Sequence, residues 1–389
     1  MKILFLSDDF PPQSFGGAGI STYDLARGMK KAGHEVFVIT TCRKESESGE
    51  LNYDGLKVFR IASNYPGRWR SYVSLYNKPV VRQVKKLLQR IRPDVVHANN
   101  IHFYLSYHAL KLSKRYARVV VITFRDVMSF NFGKLDTRRY LEKFDARTSW
   151  LDHARQAKKR WNLFRNFVIK KYLSYTDRLF SISGSLKGAL EQNGIKNVEV
   201  LHTGVLVSEW QTLPDEVKGF KEQYNLGGKK VVFFGGRLSD AKGASVVSQA
   251  MEIVSKELPE ATLLAVGEGG IGWIGRERIK LAYAASDVVL VPSICLDTFP
   301  RVVLEAMASG KPVIGTCYGG APEAIEDGVT GYVVNPFNIK EMSEKIISLL
   351  RDSEKAEKFG KAGRERVRTK FNLDEKVAEY LKHYNSLLK

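Results

Sequence analysis

Two carboxylates and two cations, each at the end of an apolar run, are the residues of this sequence best placed to do chemistry. The stretch 286–323, SDVVLVPSICLDTFPRVVLEAMASGKPVIGTCYGGAPE, reads as a buried strand ending at Pro292, a loop carrying Asp297, and a helix starting near Arg301 with Glu305 in its first turns. Two acids would then border one site, and the helix N-terminus would offer backbone N–H groups to a diphosphate. The plainer alternative is that Asp297 caps the helix and Glu305 is a surface acid. A second stretch, GGRLSDAKG (235–243), follows an apolar run at 231–234. Its glycines let backbone come close to a ligand, and Arg237 and Lys242 supply positive charge for a leaving diphosphate. No Asp-x-Asp element stands in a suitable loop, so protein cations rather than a metal would carry that charge. The alternative is a solvated turn with two surface cations. A third stretch, Gly16-Gly17-Ala18-Gly19, would admit phosphate to a helix start or be a tight turn and nothing more. It is not GxGxxG and no ribose-binding acid follows at the required distance, which argues against a dinucleotide.

The elements that must position these residues are those of an α/β protein. Lys2–Ser7 and His34–Thr41 are apolar runs around a helical pattern at Ser21–Lys31, a βαβ opening. Further strands are expected at Val95–Ala98, Arg118–Phe124 and Asp177–Ser183. The second half repeats the plan at Lys229–Phe234, Ala261–Gly267, Asp287–Pro292 and Lys311–Gly315. Apolar runs without alternation suit parallel strands covered on both faces. Two tandem doubly wound Rossmann-like domains follow, over 1–205 and 206–372, facing across a cleft at the carboxyl ends of their strands. An amphipathic helix at 373–389 is expected to pack back on the first domain.

The chain has 389 residues, 61 Lys+Arg against 42 Asp+Glu, and a formal net charge of +19. That balance favours anionic partners such as nucleotide phosphates or an acidic membrane surface. No nucleic-acid-binding motif is present, so nucleic acid is not expected as a partner. The amino-terminal apolar run is too short for a signal peptide or spanning helix, and Cys42, Cys295 and Cys317 form no disulfide or zinc pattern. A soluble cytoplasmic protein is expected, peripheral on the inner face of a membrane if its basic segment binds there. That segment, Arg147–Lys171, carries eight basic residues and one acid. Trp150, Ala154, Ala157, Trp161, Phe164, Val168 and Tyr172 recur at helical spacing, flanked by Arg147, Arg155, Lys158 and Arg165. The pattern suits one long helix at an anionic membrane surface or packed on its own domain.

The GGAG loop, DVVHANN (94–100), TFRD (123–126), GRLSDAKG, VGEGG (266–270) and the block from Asp297 to Glu323 occur together in an order that resembles a family-four glycosyltransferase of the GT-B fold. The resemblance implies a retaining, metal-independent hexosyltransferase that needs no cofactor besides its UDP- or GDP-sugar donor and acts on a glycan or lipid-linked glycan. It implies that Glu305 holds the donor ribose, that Asp297 meets the donor sugar, and that Arg237 and Lys242 clamp the diphosphate. Gly16 and Gly17 would close over the diphosphate, and Phe299, Arg301 and Val302 would line the nucleotide-sugar site. His97, His102 and Asn99, clustered at the end of an amino-domain strand, would face the acceptor or serve a structural role, and Arg125 at another strand end would meet sugar hydroxyls, a phosphate or an acidic acceptor. This chain departs from the family with Asp297 for a glutamate, Pro300 for a glycine, Arg125 for a histidine, and a shortened stretch between Gly270 and Trp273. Other readings are a GT-B enzyme making a small soluble glycoside, a sugar-nucleotide epimerase, or a non-catalytic basic polyanion-binding protein.

Overall fold

The structure, a computed structural model, describes the whole chain except residues 14–15, 236–238 and 268. The chain divides into two compact units. The first comprises Met1–Leu135, Asp145–His202 and Leu373–Lys389; the second comprises Asp136–Phe144 and Thr203–Asn372.

The first unit is built on an eight-stranded sheet in the order β3-β4-β2-β1-β5-β6-β7-β8. Its strands are β1 (Lys2–Leu6), β2 (Glu35–Cys42), β3 (Gly49–Tyr53), β4 (Leu56–Ala62), β5 (Val95–Ala98), β6 (Val119–Phe124), β7 (Arg178–Ser181) and β8 (Val198–Val200). All pairings are parallel except the β3–β4 hairpin at the edge. β5 and β6 are buried at every residue, as unalternating apolar strands under two helical layers must be. β3, β4 and β8 carry no such apolar block, which is why the sequence alone does not announce them. The carboxyl-terminal helix Leu373–Leu388 belongs to this unit. Gly28 admits it, since a Cβ there would lie 2.5 Å from Val377 Cγ2. Tyr380 and Tyr384 lie on its buried stripe and bond Thr123 Oγ1 of β6 and His97 Nδ1 of β5 at 3.1 and 2.6 Å.

The basic segment does not form the single helix its periodicity suggests. It breaks into a helix Trp150–Ala157, a 3-10 turn Lys158–Arg160 and a helix Arg165–Leu173. The second helix is also turned by one residue from the expected stripe, burying Arg165, Ile169 and Leu173 in place of Phe164, Val168 and Tyr172. Arg165 explains the rotation. Its guanidinium donates to the Met128 and Asn131 carbonyls and stacks on Phe132 at 4.7 Å, satisfying a buried charge and leaving Phe164 outside.

The second unit has a five-stranded parallel sheet ordered β10-β9-β11-β12-β13. Its strands are β9 (Lys230–Phe234), β10 (Ala261–Ala265), β11 (Val288–Val291), β12 (Val313–Thr316) and β13 (Gly331–Val334). Helices Ala244–Glu257 and Ile339–Arg351 cover one face through Val247, Ala250, Met342 and Ile346. β10 passes into the helix Arg276–Ala285 through a short turn in which Gly267 and Gly272 bridge. Asp136–Phe144 joins this unit because Tyr140 OH accepts the Gly319 N–H at 3.0 Å and Tyr318 OH donates to the Leu141 carbonyl at 2.9 Å.

Candidate active site

In the second unit, a backbone close approach brings two sequence-distant motifs together. After β9 the chain turns through Asp240–Lys242 to Gly243, which has φ +83° and whose missing Cβ would lie 2.2 Å from the Pro292 carbonyl oxygen. Only glycine allows that contact in that conformation. The turn therefore lies against the end of β11, where the Ile294 N–H donates to the Ala241 carbonyl at 3.1 Å. Lys242 Nζ then donates to Asp297 Oδ2 at 2.5 Å, and Ser293 Oγ donates to the same oxygen at 2.8 Å. On its far side the Asp297 loop rests on Gly319 and Gly320. The Gly320 N–H donates to the Asp297 carbonyl at 2.8 Å, and a Cβ on Gly319 would sit 2.0 Å from that carbonyl oxygen. Asp297 does not cap the helix; its carboxylate is a strapped partner of a cation.

The helix Arg301–Ala308 begins at Pro300 with no side-chain cap. Pro300 lacks an N–H to lose, and its φ of −69° suits a helix start. Val302 packs at the end of β9, where a Cβ on Gly235 would lie 2.0 Å from Val302 Cγ1. Phe299 is buried against Phe371, at 5.7 Å between ring centroids. Glu305, one turn in, is held by both oxygens: Oε1 accepts from Arg301 Nε at 3.2 Å and Oε2 from Tyr283 OH at 2.9 Å. A carboxylate has about four acceptor sites, so a pair of sugar hydroxyls can still be received. Tyr283 carries no motif signal in sequence. It is buried beside Phe233 and Trp210, and burial together with the Glu305 charge raises its phenol well above the ordinary range. Arg237 lies outside the described residues.

In the first unit, Gly16 is the N-cap of the helix Gly17–Lys31 and Gly17 its first residue; neither a capping side chain nor an acid occupies the first turn. His97 has neither ring nitrogen left for an acceptor. It is fully buried, with Nε2 bonded to Thr123 Oγ1 at 2.7 Å and Nδ1 to Tyr384 OH at 2.6 Å, so it ties the sheet to the carboxyl-terminal helix. Asn99 and Arg125 are brought together: Arg125 Nε donates to Asn99 Oδ1 at 2.9 Å, while Asn99 Nδ2 is buried with no hydrogen-bond partner among the described residues.

Asp8, just past β1, organises the loop after β5 and is not singled out by any motif. Its carboxylate accepts the N–H groups of Phe103, Tyr104 and Leu105 at 2.6 to 2.9 Å. Burial pushes its pKa up to about 7 against the pull of those three donors. The same loop carries His102, 3.5 Å from Asp126 Oδ2, and burial drives its pKa down to about 4 despite that carboxylate. The folded-state value lies below the ordinary one near 6.5, so the stability His102 contributes is present above about pH 6.5 and lost as pH falls towards 4. Denaturant unfolding of wild type and His102→Asn should therefore show a stability gap that narrows by about 2 kcal/mol between pH 7 and pH 5. A constant gap would mean that His102 stays accessible to protons.

Two doubly wound α/β units, one presenting a cation–carboxylate pair at the carboxyl ends of parallel strands, define the GT-B class of nucleotide-sugar glycosyltransferases. The chain belongs to Glycosyltransferase Family 4, whose model matches residues 15–209, and the model for Glycosyl transferases group 1 matches residues 270–366. It is similar to spore coat protein SA of Bacillus subtilis, 32% identical over 188 residues that span 41% of this chain and 50% of that protein. It is 22% identical to glycogen synthase of Mycobacterium tuberculosis, over 96% of this chain and 91% of that one. The fold matches Anabaena HepE, solved with UDP and glucose, at TM-score 0.74 and 19% identity, covering 99% and 100% of the two chains. The protein is a glycosyltransferase enzyme.

Proposed function

We propose that the enzyme transfers a hexose from a UDP- or GDP-sugar to a glycan or lipid-linked glycan, with retention of anomeric configuration and without a metal ion. The observation that carries this reading is the Lys242–Asp297 pair, held by the glycine contacts at Pro292 and at the Asp297 loop. In the reaction, the bond from the anomeric carbon to the diphosphate breaks and its electron pair leaves on phosphate oxygen. The acceptor hydroxyl oxygen bonds to the anomeric carbon and yields its proton to that departing oxygen. Lys242 and Arg237 stabilise the charge that develops there, the role a metal would otherwise take. Glu305 receives the ribose hydroxyls, and Asp297 meets the sugar while orienting Lys242. Phe299, Arg301 and Val302 form the wall and floor of this site. The family resemblance also assigns Gly16 and Gly17, at the start of the helix Gly17–Lys31, to the phosphates. UDP is favoured by its presence in the Anabaena HepE structure. Retention rests on the family resemblance. With His97 occupied in the interior, the acceptor side falls to Asn99 and Arg125.

A thermal-shift panel with UDP, GDP, ADP and their sugars tests the donor, and turnover in excess EDTA tests the metal. One nucleotide should raise the melting temperature, Glu305→Gln should weaken that effect more than it slows bound chemistry, and EDTA should change nothing. No response to any nucleotide, or activity lost in EDTA and restored by Mg²⁺, would overturn the respective part.

A further inference from the structure

Large apolar side chains of the first unit stand in solvent on two segments that meet. Trp150 stacks on Trp161 at 6.4 Å, Tyr72 OH approaches the Trp161 carbonyl at 3.4 Å, and Asn162 Nδ2 donates to the Ser71 carbonyl at 3.2 Å, which links the turn 67–73 to the basic segment. Trp69 lies against Tyr72 at 6.0 Å. Beyond them, Phe164 is 70% and Phe167 72% exposed, on the face of their helix opposite buried Ile169. Leaving so many aromatic rings in water is costly, and a run of them marks a surface that is covered in use.

The charge around the rings says what covers it. Arg155, Lys158, Lys159 and Lys171 are exposed, and no ion pair engages them among the described residues. The segment's acid, Asp152, is spent in a capping box with Ser149. Rings that favour a membrane–water boundary, ringed by unpaired cations, match the boundary of an anionic bilayer. No helix among the described residues is long and apolar enough to cross a membrane. We propose that this surface seats the enzyme on an anionic lipid bilayer, with Trp161, Phe164 and Phe167 inserted at headgroup depth and the cations against lipid phosphates.

The periodicity that suggests one amphipathic helix has the inserted set partly wrong: burial of Arg165 is what turns Phe164 and Phe167 outward. The proposal does not rest on the catalytic assignment, and its test needs no turnover. Co-sedimentation with phosphatidylglycerol-containing vesicles is compared with neutral phosphatidylcholine vesicles, together with tryptophan emission and its quenching by brominated lipid. Wild type should pellet with anionic vesicles only, with blue-shifted and quenched emission. Trp161→Ser/Phe164→Ser/Phe167→Ser should lower partitioning about a hundredfold at every salt concentration. Arg155→Gln/Lys158→Gln/Lys159→Gln/Lys171→Gln should lose at least about a hundredfold at low salt, at roughly fivefold per charge, with little difference left at high salt. Both variants change exposed side chains, so an unchanged melting temperature certifies their fold. Wild-type partitioning by the Ser variant, equal binding to neutral vesicles, or a lipid-free dimer that the Ser variant abolishes with no vesicle binding would each overturn the proposal.

Discussion

Lys242→Ala is expected to lower turnover by two or more orders of magnitude, because the ammonium it removes is worth roughly 2.7–4 kcal/mol to a diphosphate as negative charge develops there. Fold should survive, since Lys242 is only partly buried and its loss leaves Asp297 bonded to Ser293. The pair suggests a sharper test than the single variant. Lys242 is held by Asp297 at 2.5 Å, so Asp297→Asn removes that ionic partner together with the acid. It should lower turnover yet leave nucleoside diphosphate affinity unchanged or tighter, whereas Lys242→Ala should weaken both. If the two variants lose diphosphate affinity alike, the lysine only braces the loop and the clamp assignment falls. Arg237→Ala is expected to resemble Lys242→Ala in turnover.

Gly319→Ala should cost about as much in stability as Lys242→Ala does in rate. At φ +73° an alanine carries a left-handed penalty of roughly 1–2 kcal/mol, and its Cβ would stand 2.0 Å from the Asp297 carbonyl oxygen and 2.6 Å from the Asp297 nitrogen. Neither atom is a flexible tip, so the 297–299 loop must move, adding about 1–3 kcal/mol. A unit of this size should then melt about 4–20 °C lower. Displacing Asp297 by an ångström should cost about a further hundredfold in turnover. Gly310→Ala is the control, since Gly310 has φ +71° with nothing within 4 Å of its would-be Cβ. It carries the conformational penalty without the collision. If calorimetry finds the two variants equally stable and Gly319→Ala keeps its turnover, the glycine pair does not set the loop.

Much of the scaffold was legible in the chain. The apolar runs that became β1, β2, β5, β6, β7, β9, β10, β11 and β12 lie within a residue or two of their expected bounds, because strands covered on both faces are mostly apolar and stand out as unalternating runs. The hairpin strands β3 and β4 alternate between buried and exposed residues and β8 has three residues, so none carries a comparable block, whereas β13 is as long as β12 and nearly as buried and was not singled out. The glycines of 235–243 were expected to bring backbone close to a ligand; Gly243 brings it to the Pro292 carbonyl and Gly235 to Val302.

Pairing was decided elsewhere. Sequence placed Lys242 and Asp297 in motifs 55 residues apart, and only the contact of Gly243 with Pro292 makes them partners. Tyr283 beneath Glu305, the Asp8 carboxylate under the loop at 103–105, and Tyr140 reaching Gly319 from an earlier segment are contacts that no local spacing encodes. His97 shows the same limit from the other side. A histidine at a strand end has one local pattern whether it greets a substrate or bonds Tyr384, and the choice was made by a helix 287 residues further on. Local sequence fixes backbone conformation and the side of an element that is apolar; which polar group meets which depends on the sheet order that brings distant strands together.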